Sequence, residues 1–353
     1  MAATERTLWE EALARLRELE EEVKRVEEMV VARLETQPGA PSQLSAPATA
    51  SGAPMGEPAR SLLLRDAPRL VAQLRRQLQG EPLRVLALDY PPGCFDRSRP
   101  PEQARASCLL HHALNTARLA MFVAARHGYR PTSVEVVGLC GLLHDVGMEG
   151  VPAELFVKAG PLSEAERRRL QDHAPEGEER VRACHDLDGL LRAVVPRVVR
   201  QHHERTDGSG YPDGLDAPHI HEFARLVALA EAYETMVTPR PYKPARLPHD
   251  AMTALLLEAF GKSGPARYDR RLATAMLRAL SLYPIGSGVV LEDGSRGQVV
   301  ESNPEAPEKP HVRLLWGPGG RRLERPRVVD LRQAGVRIAK AIPWPPPGED
   351  NEP

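Results

Sequence analysis

A mainly helical body followed by a small all-β module is the fold class that the sequence predicts, on three observations. Apolar residues, dominated by Ala, Leu and Val, recur at helical spacing from about residue 101 to 283. After Tyr283-Pro284 that period gives way to short Val-rich runs separated by turn residues. Aromatics make up only 4% of the chain while prolines number 34, which fits a core of small aliphatic side chains with Pro-rich connections. Lys+Arg 47 against Asp+Glu 48 leaves the whole chain near neutrality, so nothing global supports a nucleic-acid or membrane-surface role. Phosphate recognition would have to come from local basic residues.

The elements follow in order. Between residues 5 and 35, Trp9, Ala12, Leu16, Leu19, Val23, Val26 and Val30 alternate spacings of three and four, the seam of a short coiled coil. A seam of about three to four heptads is marginal alone, so a homodimer through residues 5–35 is the expectation. Residues 36–58, rich in Pro, Ala, Ser and Gly, predict a disordered tether. Residues 59–100 predict a helical connector, with a helix over Ala59 to Leu78 and an irregular stretch around Pro91-Pro92-Gly93. Within 101–283, helices are predicted over Val134 to His144, Val194 to His203 and Phe223 to Val237. Ser163-Glu164-Ala165-Glu166 reads as a capping box opening a helix that runs to His173. Strands are expected at Val289 to Leu291, Gln298 to Val300, His311 to Trp316 and Val328 to Leu331. They form a module over 284–340, more plainly a packing appendage than a partner site, with a disordered tail over 341–353.

Cys94, Cys108, Cys140 and Cys184 lie far apart without CxxC spacing, which excludes a zinc ribbon and fits a reducing compartment. No apolar run approaches the roughly 20 residues of a membrane helix, and Met1 to Arg6 leads into an acidic helix pattern rather than a signal core. A cytoplasmic location with no membrane contact is expected.

The chemistry is concentrated in two stretches. Gln201-His202-His203-Glu204 leads into Gly208-Ser209-Gly210-Tyr211-Pro212: adjacent imidazoles at a helix end, then a Gly-rich turn that lets backbone approach a ligand. The apolar run Leu142-Leu143 ends in His144-Asp145, a nitrogen donor beside a carboxylate able to span two cations. With His112-Ala113-Leu114-Asn115 these segments resemble the HD-GYP family of metal-dependent phosphodiesterases, over about half of the chain. The resemblance implies a helical HD-type bundle around a pair of divalent ions. In it Asp145 bridges the ions, His112, His144 and Glu231 serve one, and His173, His202 and His203 serve the other. His111 beside His112 is the competing ligand, and the His-small-Leu-Asn pattern favours His112. Nitrogen and oxygen donors without thiolate favour Fe or Mn.

The family's activity implies a substrate of cyclic di-GMP or a related cyclic dinucleotide such as cyclic GMP-AMP. A hydroxide bridging the two ions would cut it to the linear dinucleotide and then to GMP. Asp145 and His144 would be the catalytic residues, and Tyr211, Arg240 and Lys243 would hold substrate. A diguanylate cyclase or another signalling protein is the kind of partner implied. Three departures stand out. Met148 occupies the place of the family's lysine after His-Asp, a loss of ~10²–10³ in rate if that cation acts electrostatically. Glu231 replaces an aspartate, and Cys108 stands where some members carry a glutamate that recruits a third ion. Cys108 implies a two-ion centre, while Met148 and Glu231 define the alternative, a catalytically impaired receptor that binds cyclic dinucleotide or metal and signals to partners.

Overall fold

A computed structural model describes residues 101–344 apart from 157, 159, 185–188, 241 and 242, together with 67, 71, 72, 74 and 75. The expected coiled coil at 5–35, the tether at 36–58 and most of the connector lie outside the described residues. What is described of the connector packs as a helix should. Ala67, Val71 and Leu74 are buried in the main core, and Arg75 pairs with Glu135 at 2.5 Å.

The body is built on α1 (Pro101–Arg126) and α2 (Pro131–Leu143), the latter started by a proline at its first turn, where no amide hydrogen is needed. Every residue of α2 from Val136 to Leu143 is buried. Small residues let the two helices close up: a Cβ on Gly141 would lie 2.8 Å from Ala117 Cα. Around this pair stand α3 (Ala153–Phe156), α4 (Glu164–Gln171), α5 (His173–Arg182), α6 (Gly189–Gln201), α7 (Glu222–Val237), α8 (Pro248–Ala259) and α9 (Arg270–Leu280). The core is aliphatic, with Leu142, Leu143, Leu226, Leu229, Leu255 and Leu272 almost entirely out of water.

The Ser163 capping box forms in both directions, Ser163 Oγ accepting from Glu166 N and Glu166 accepting from Ser163 N. The helix it opens does not run on to His173. It stops at Gln171, and α5 begins afresh at His173 with Pro175 in its first turn. Proline can neither donate a hydrogen bond nor tolerate the carbonyl four residues back, so a continuous helix through 175 is excluded while a new first turn accommodates it.

The C-terminal module is a five-stranded antiparallel sheet in the order β4-β3-β2-β1-β5, from β1 (Gly288–Leu291), β2 (Arg296–Glu301), β3 (His311–Trp316), β4 (Arg322–Asp330) and β5 (Ile338–Ile342). Two findings differ from the sequence expectation. Strand β4 starts at Arg322 and passes through Pro326, which an edge strand permits. The segment at 341–342, expected in the tail, belongs to β5, because Ile342 pairs with Gly288 and closes the second edge of β1. Trp344 then rests against Trp316. The module is tied to the body by Ser281 Oγ donating to Pro307 O and Ser302 Oγ donating to Ala279 O.

The feature that positions the site is the turn after α2. His144 caps the helix, Asp145 leaves helical geometry, and Val146–Gly150 forms a 3₁₀ turn closed by Met148 N donating to Asp145 O at 2.8 Å. This turn lies directly on α5. A Cβ on Gly147 would stand 2.7 Å from Gly177 N and closer still to the carbonyl oxygen of His173. Both obstacles are backbone and cannot swing aside. Gly147→Ala is therefore expected to cost about 1–3 kcal/mol or more by overpacking, read as a lower urea midpoint at unchanged slope.

Candidate metal centre

Four imidazoles share one arrangement. His144 Nδ1 donates to Gly141 O at 2.7 Å, His173 Nδ1 to Leu170 O at 2.6 Å and His202 Nδ1 to Val199 O at 2.6 Å. His112 Nδ1 instead meets a carboxylate, Glu234 Oε2, at 2.5 Å. Carbonyls and carboxylates only accept, so each Nδ1 carries a proton, and each ring in its neutral form turns a bare Nε2 lone pair inward. These lone pairs face each other in twos. His112 Nε2 and His144 Nε2 are 3.3 Å apart, and His173 Nε2 and His202 Nε2 are 3.2 Å apart. Lone pairs at that distance repel unless a positive charge lies between or beside them.

Asp145 sits between the two pairs and gives one oxygen to each. Its Oδ1 lies 3.2 Å from His173 Nε2 and 3.7 Å from His202 Nε2, while its Oδ2 lies 3.7 Å from His112 Nε2 and 3.6 Å from His144 Nε2. Among the described residues two groups of possible donors lie within 4.8 Å of one another, Asp145 with His173, His202 and His203, and Asp145 with His112 and His144. Glu231 adjoins the first group, its Oε2 3.8 Å from His203 Nδ1. The resemblance implies it with His112 and His144; its nearest imidazole contact is His203, and His112 also acts on it electrostatically. That oxygen is buried without a hydrogen-bond partner. A buried carboxylate oxygen left this way is costly, and together with the converging lone pairs it is what a cation would satisfy. The donor set fits divalent cations.

The electrostatics lean the same way. Burial lowers the pKa of His144 to about 3 and, with His202 and His173 nearby, takes His203 well below its ordinary value. Burial also works against charge on Asp145, yet His144, His173 and His202 hold its carboxyl well below the usual range. At His112 and His173 the opposition is reversed. Burial disfavours the charged ring, but Glu234 and Asp145 outweigh it and raise both. Burial raises Glu231. The site thus gathers imidazole nitrogens, two with lowered and two with raised pKa values, around an ionised Asp145.

The wall is formed by the loop after α6. Gly210 is obligatory there, since a Cβ would stand 2.5 Å from Glu204 Cα and 2.6 Å from His203 O. The close approach folds Tyr211 back so that its ring stacks on His203 at 4.5 Å. Two anchors hold the loop. Asp207 Oδ1 accepts from Ser209 N, and the buried Glu204 carboxylate accepts from Asp213 N at 2.7 Å and Leu215 N at 2.9 Å. Across the site Arg240 and Lys243 exchange backbone hydrogen bonds, which brings their side chains onto one tight turn. Arg240 turns inward, with Nη2 3.4 Å from Glu234 Oε2. Burial and the neighbouring Arg240 lower the pKa of Lys243. Met148 is buried, and Cys108 lies outside both donor groups.

The structure thus brings six of the seven proposed ligands into the two donor groups and leaves Glu231 at their edge, with Tyr211 against His203. His112, not His111, belongs to a donor group. Three site residues have no place in the sequence expectation. Glu234 holds His112 and Glu204 holds the loop. Arg205 donates to the carbonyls of His202 and Glu204, lies over the Tyr268 ring at 5.0 Å and bears electrostatically on His203, Tyr211 and Glu231. For Glu234 a signal existed: it falls one helical turn beyond Glu231 and so shares its face.

Residues 65–272 match the HD domain family, and residues 288–342 match the KOW domain associated with HD domain. A cyclic di-GMP phosphodiesterase of Pseudomonas aeruginosa is 30% identical over 224 residues, 64% of this chain and 52% of that protein. The cyclic di-GMP phosphodiesterase response regulator RpfG of Xanthomonas campestris is 32% identical over 162 residues, covering 46% and 41%. A 3′3′-cGAMP-specific phosphodiesterase of Vibrio cholerae is 28% identical over 152 residues, covering 43% and 34%. The chain spans about half the length of these relatives or less. No helix among the described residues is long and apolar enough to cross a membrane. With its helical body matched over residues 65–272 and relatives of HD-GYP type, the chain belongs to the HD domain family.

Proposed function

We propose that this protein is a metal-dependent phosphodiesterase that hydrolyses cyclic di-GMP to the linear dinucleotide and then to GMP. The observation carrying this reading is Asp145, one oxygen toward each of two imidazole pairs whose Nε2 atoms point inward. A phosphodiester resists hydrolysis because its charge repels the nucleophile. Divalent ions held by His112, His144, Asp145, His173, His202 and His203, with Glu231 alongside, would acidify water and neutralise the phosphoryl oxygens. The chain's own groups then have distinct tasks. Asp145 and His144 orient the centre. The Tyr211 ring, backed by His203, forms the wall against which a guanine or phosphate is placed. Arg240 and Lys243 supply positive charge on one turn for the anionic substrate. Water adds to phosphorus in line with the departing 3′-oxygen, and that oxygen gains the proton.

Cyclic GMP-AMP is the competing substrate, since the bases differ while the phosphodiesters do not. One observation favours a second reading: Met148, buried where the resemblance expects a lysine, carries no charge at the turn after Asp145. In that reading the protein binds cyclic dinucleotide or metal and signals without turnover. An anaerobic assay with Mn(II) or Fe(II), scoring both binding and product, separates the two. Product from cyclic di-GMP is expected; saturable binding without product would overturn the enzyme.

Two further outcomes follow from the centre. Adding Mn(II) to chelator-treated protein at about 100 times its dissociation constant should stabilise the fold by about 2.7 kcal/mol. For a domain of this size that is a rise of about 5–10 °C in melting temperature, reversed by chelator. Asp145→Asn keeps the volume but removes the charge facing both pairs. It should lower turnover by about 10³-fold while the far-ultraviolet circular dichroism stays native, and it should weaken retention of both ions.

A further inference from the structure

Three of the four inward-facing imidazoles take their orientation from the carbonyl three residues earlier in the chain: His144 from Gly141, His173 from Leu170 and His202 from Val199. Each of these rings stands at or beside a helix end, where carbonyls lack an amide from the following turn. His112 is different. It lies in the middle of α1, where the carbonyls of the preceding turn already accept helical amides, so no local acceptor is open to its Nδ1. The acceptor comes from 122 positions away, from Glu234 on α7. Glu234 is 0% exposed. Its two oxygens are both engaged, Oε1 by Thr238 Oγ1 at 3.1 Å and Oε2 by His112 Nδ1 at 2.5 Å; Arg240 Nη2 lies 3.4 Å from Oε2 and 3.3 Å from His112 Nδ1, so the carboxylate is the nearer partner of that nitrogen. Burying a carboxylate this completely is strongly unfavourable unless it is paired and hydrogen-bonded, as it is here.

We propose that Glu234 is a positioning residue of the metal centre: it fixes the His112 tautomer that leaves Nε2 bare and strengthens that nitrogen as a donor. The inference rests on the metal-centre reading above and adds to it a residue outside the donor groups. A carboxylate in this place does more than a carbonyl would. Its negative charge favours electron density at Nε2, so the His112 side of Asp145 becomes the stronger nitrogen site. Thr238 and Arg240 keep the carboxylate from rotating away. Helical spacing divides the work on α7, because Glu231 and Glu234 sit one turn apart and reach His203 and His112 respectively.

The test uses long-range ¹H–¹⁵N spectra of histidine rings in the full chain without metal, the His112 signals assigned by their loss in His112→Gln, together with Mn(II) titration. At a pH high enough to remove any second ring proton, the native ring is expected protonated on Nδ1 alone. In Glu234→Ala the ring should become a mixture of tautomers, and one of two Mn(II) affinities should fall by about 10–100-fold while the other stays within about twofold. Glu234→Gln keeps an acceptor oxygen without the charge. It should preserve the Nδ1–H tautomer, lose part of the affinity, and stand in if the alanine variant does not fold. A native His112 signal at Nε2–H, or a folded Glu234→Ala with native tautomer and both affinities intact, overturns the proposal. So does Glu234→Gln with either the wrong tautomer or native affinity. If the native protein binds no Mn(II), the metal-centre reading fails by itself, and the ring spectra still decide whether Glu234 sets His112.

Discussion

The contact between the Val146–Gly150 turn and the start of α5 is the constraint on which the site depends. His144 and Asp145 are adjacent in sequence, so the direction of one sets that of the other. Asp145 can face both imidazole pairs only if His173 arrives at the right depth, and α5 reaches it because Gly147 and Gly177 present no side chains to the approach. A single substitution at that contact would move His173 relative to Asp145 by an ångström or more. Distances of 3.2–3.7 Å around one carboxylate leave no room for such a shift. The break between α4 and α5 belongs to the same logic. Because the chain restarts at His173, Leu170 O lies where His173 Nδ1 can reach it.

Assembling five imidazoles and an ionised aspartate away from water is unfavourable in itself. The depressed pKa values of His144 and His203 show that burial resists their protonation, while the raised values at His112 and His173 show the two carboxylates asking for positive charge. Protons can answer that demand only in part, since the same rings would then lose the lone pairs that face one another. Divalent cations answer it fully, keeping every nitrogen neutral and every carboxylate ionised. In the proposed metal centre, stability and function would be linked through the same groups, with the metal-free fold the less stable one.

What the sequence made legible was what lies in short spans. The adjacent pairs His144-Asp145 and His202-His203, the capping box at Ser163 and the Gly-rich turn are each written within a dozen residues, and each takes the expected local form. Partnerships across the fold were not legible. Nothing near Glu204 announces that its carboxylate will hold the amides of Asp213 and Leu215, and nothing near Glu234 names His112. The β5 strand was hidden for a related reason. Ile338-Ala339-Lys340-Ala341-Ile342 is too short and too mixed to read as a strand until β1 offers an edge, and pairing rather than propensity decides it.

The charge open to a substrate depends on what each basic side chain already touches. Arg240 stands on the turn where the resemblance puts it, but its guanidinium lies beside Glu234, so part of its charge is already neutralised within the protein. Lys243, a neighbour on the same turn, has its pKa lowered by burial and by Arg240, which records a repulsion that an arriving phosphodiester would relieve. Arg205 supplies a third cation from the α6 loop, toward His203 and Tyr211. With Met148 buried after Asp145, positive charge around this centre is drawn from the loop after α6 and the turn after α7 rather than from the His144-Asp145 turn. The substrate's negative charge would therefore be met from the Tyr211 and Lys243 sides of the site. That places the burden of orientation on the loop that Gly210 and Glu204 shape.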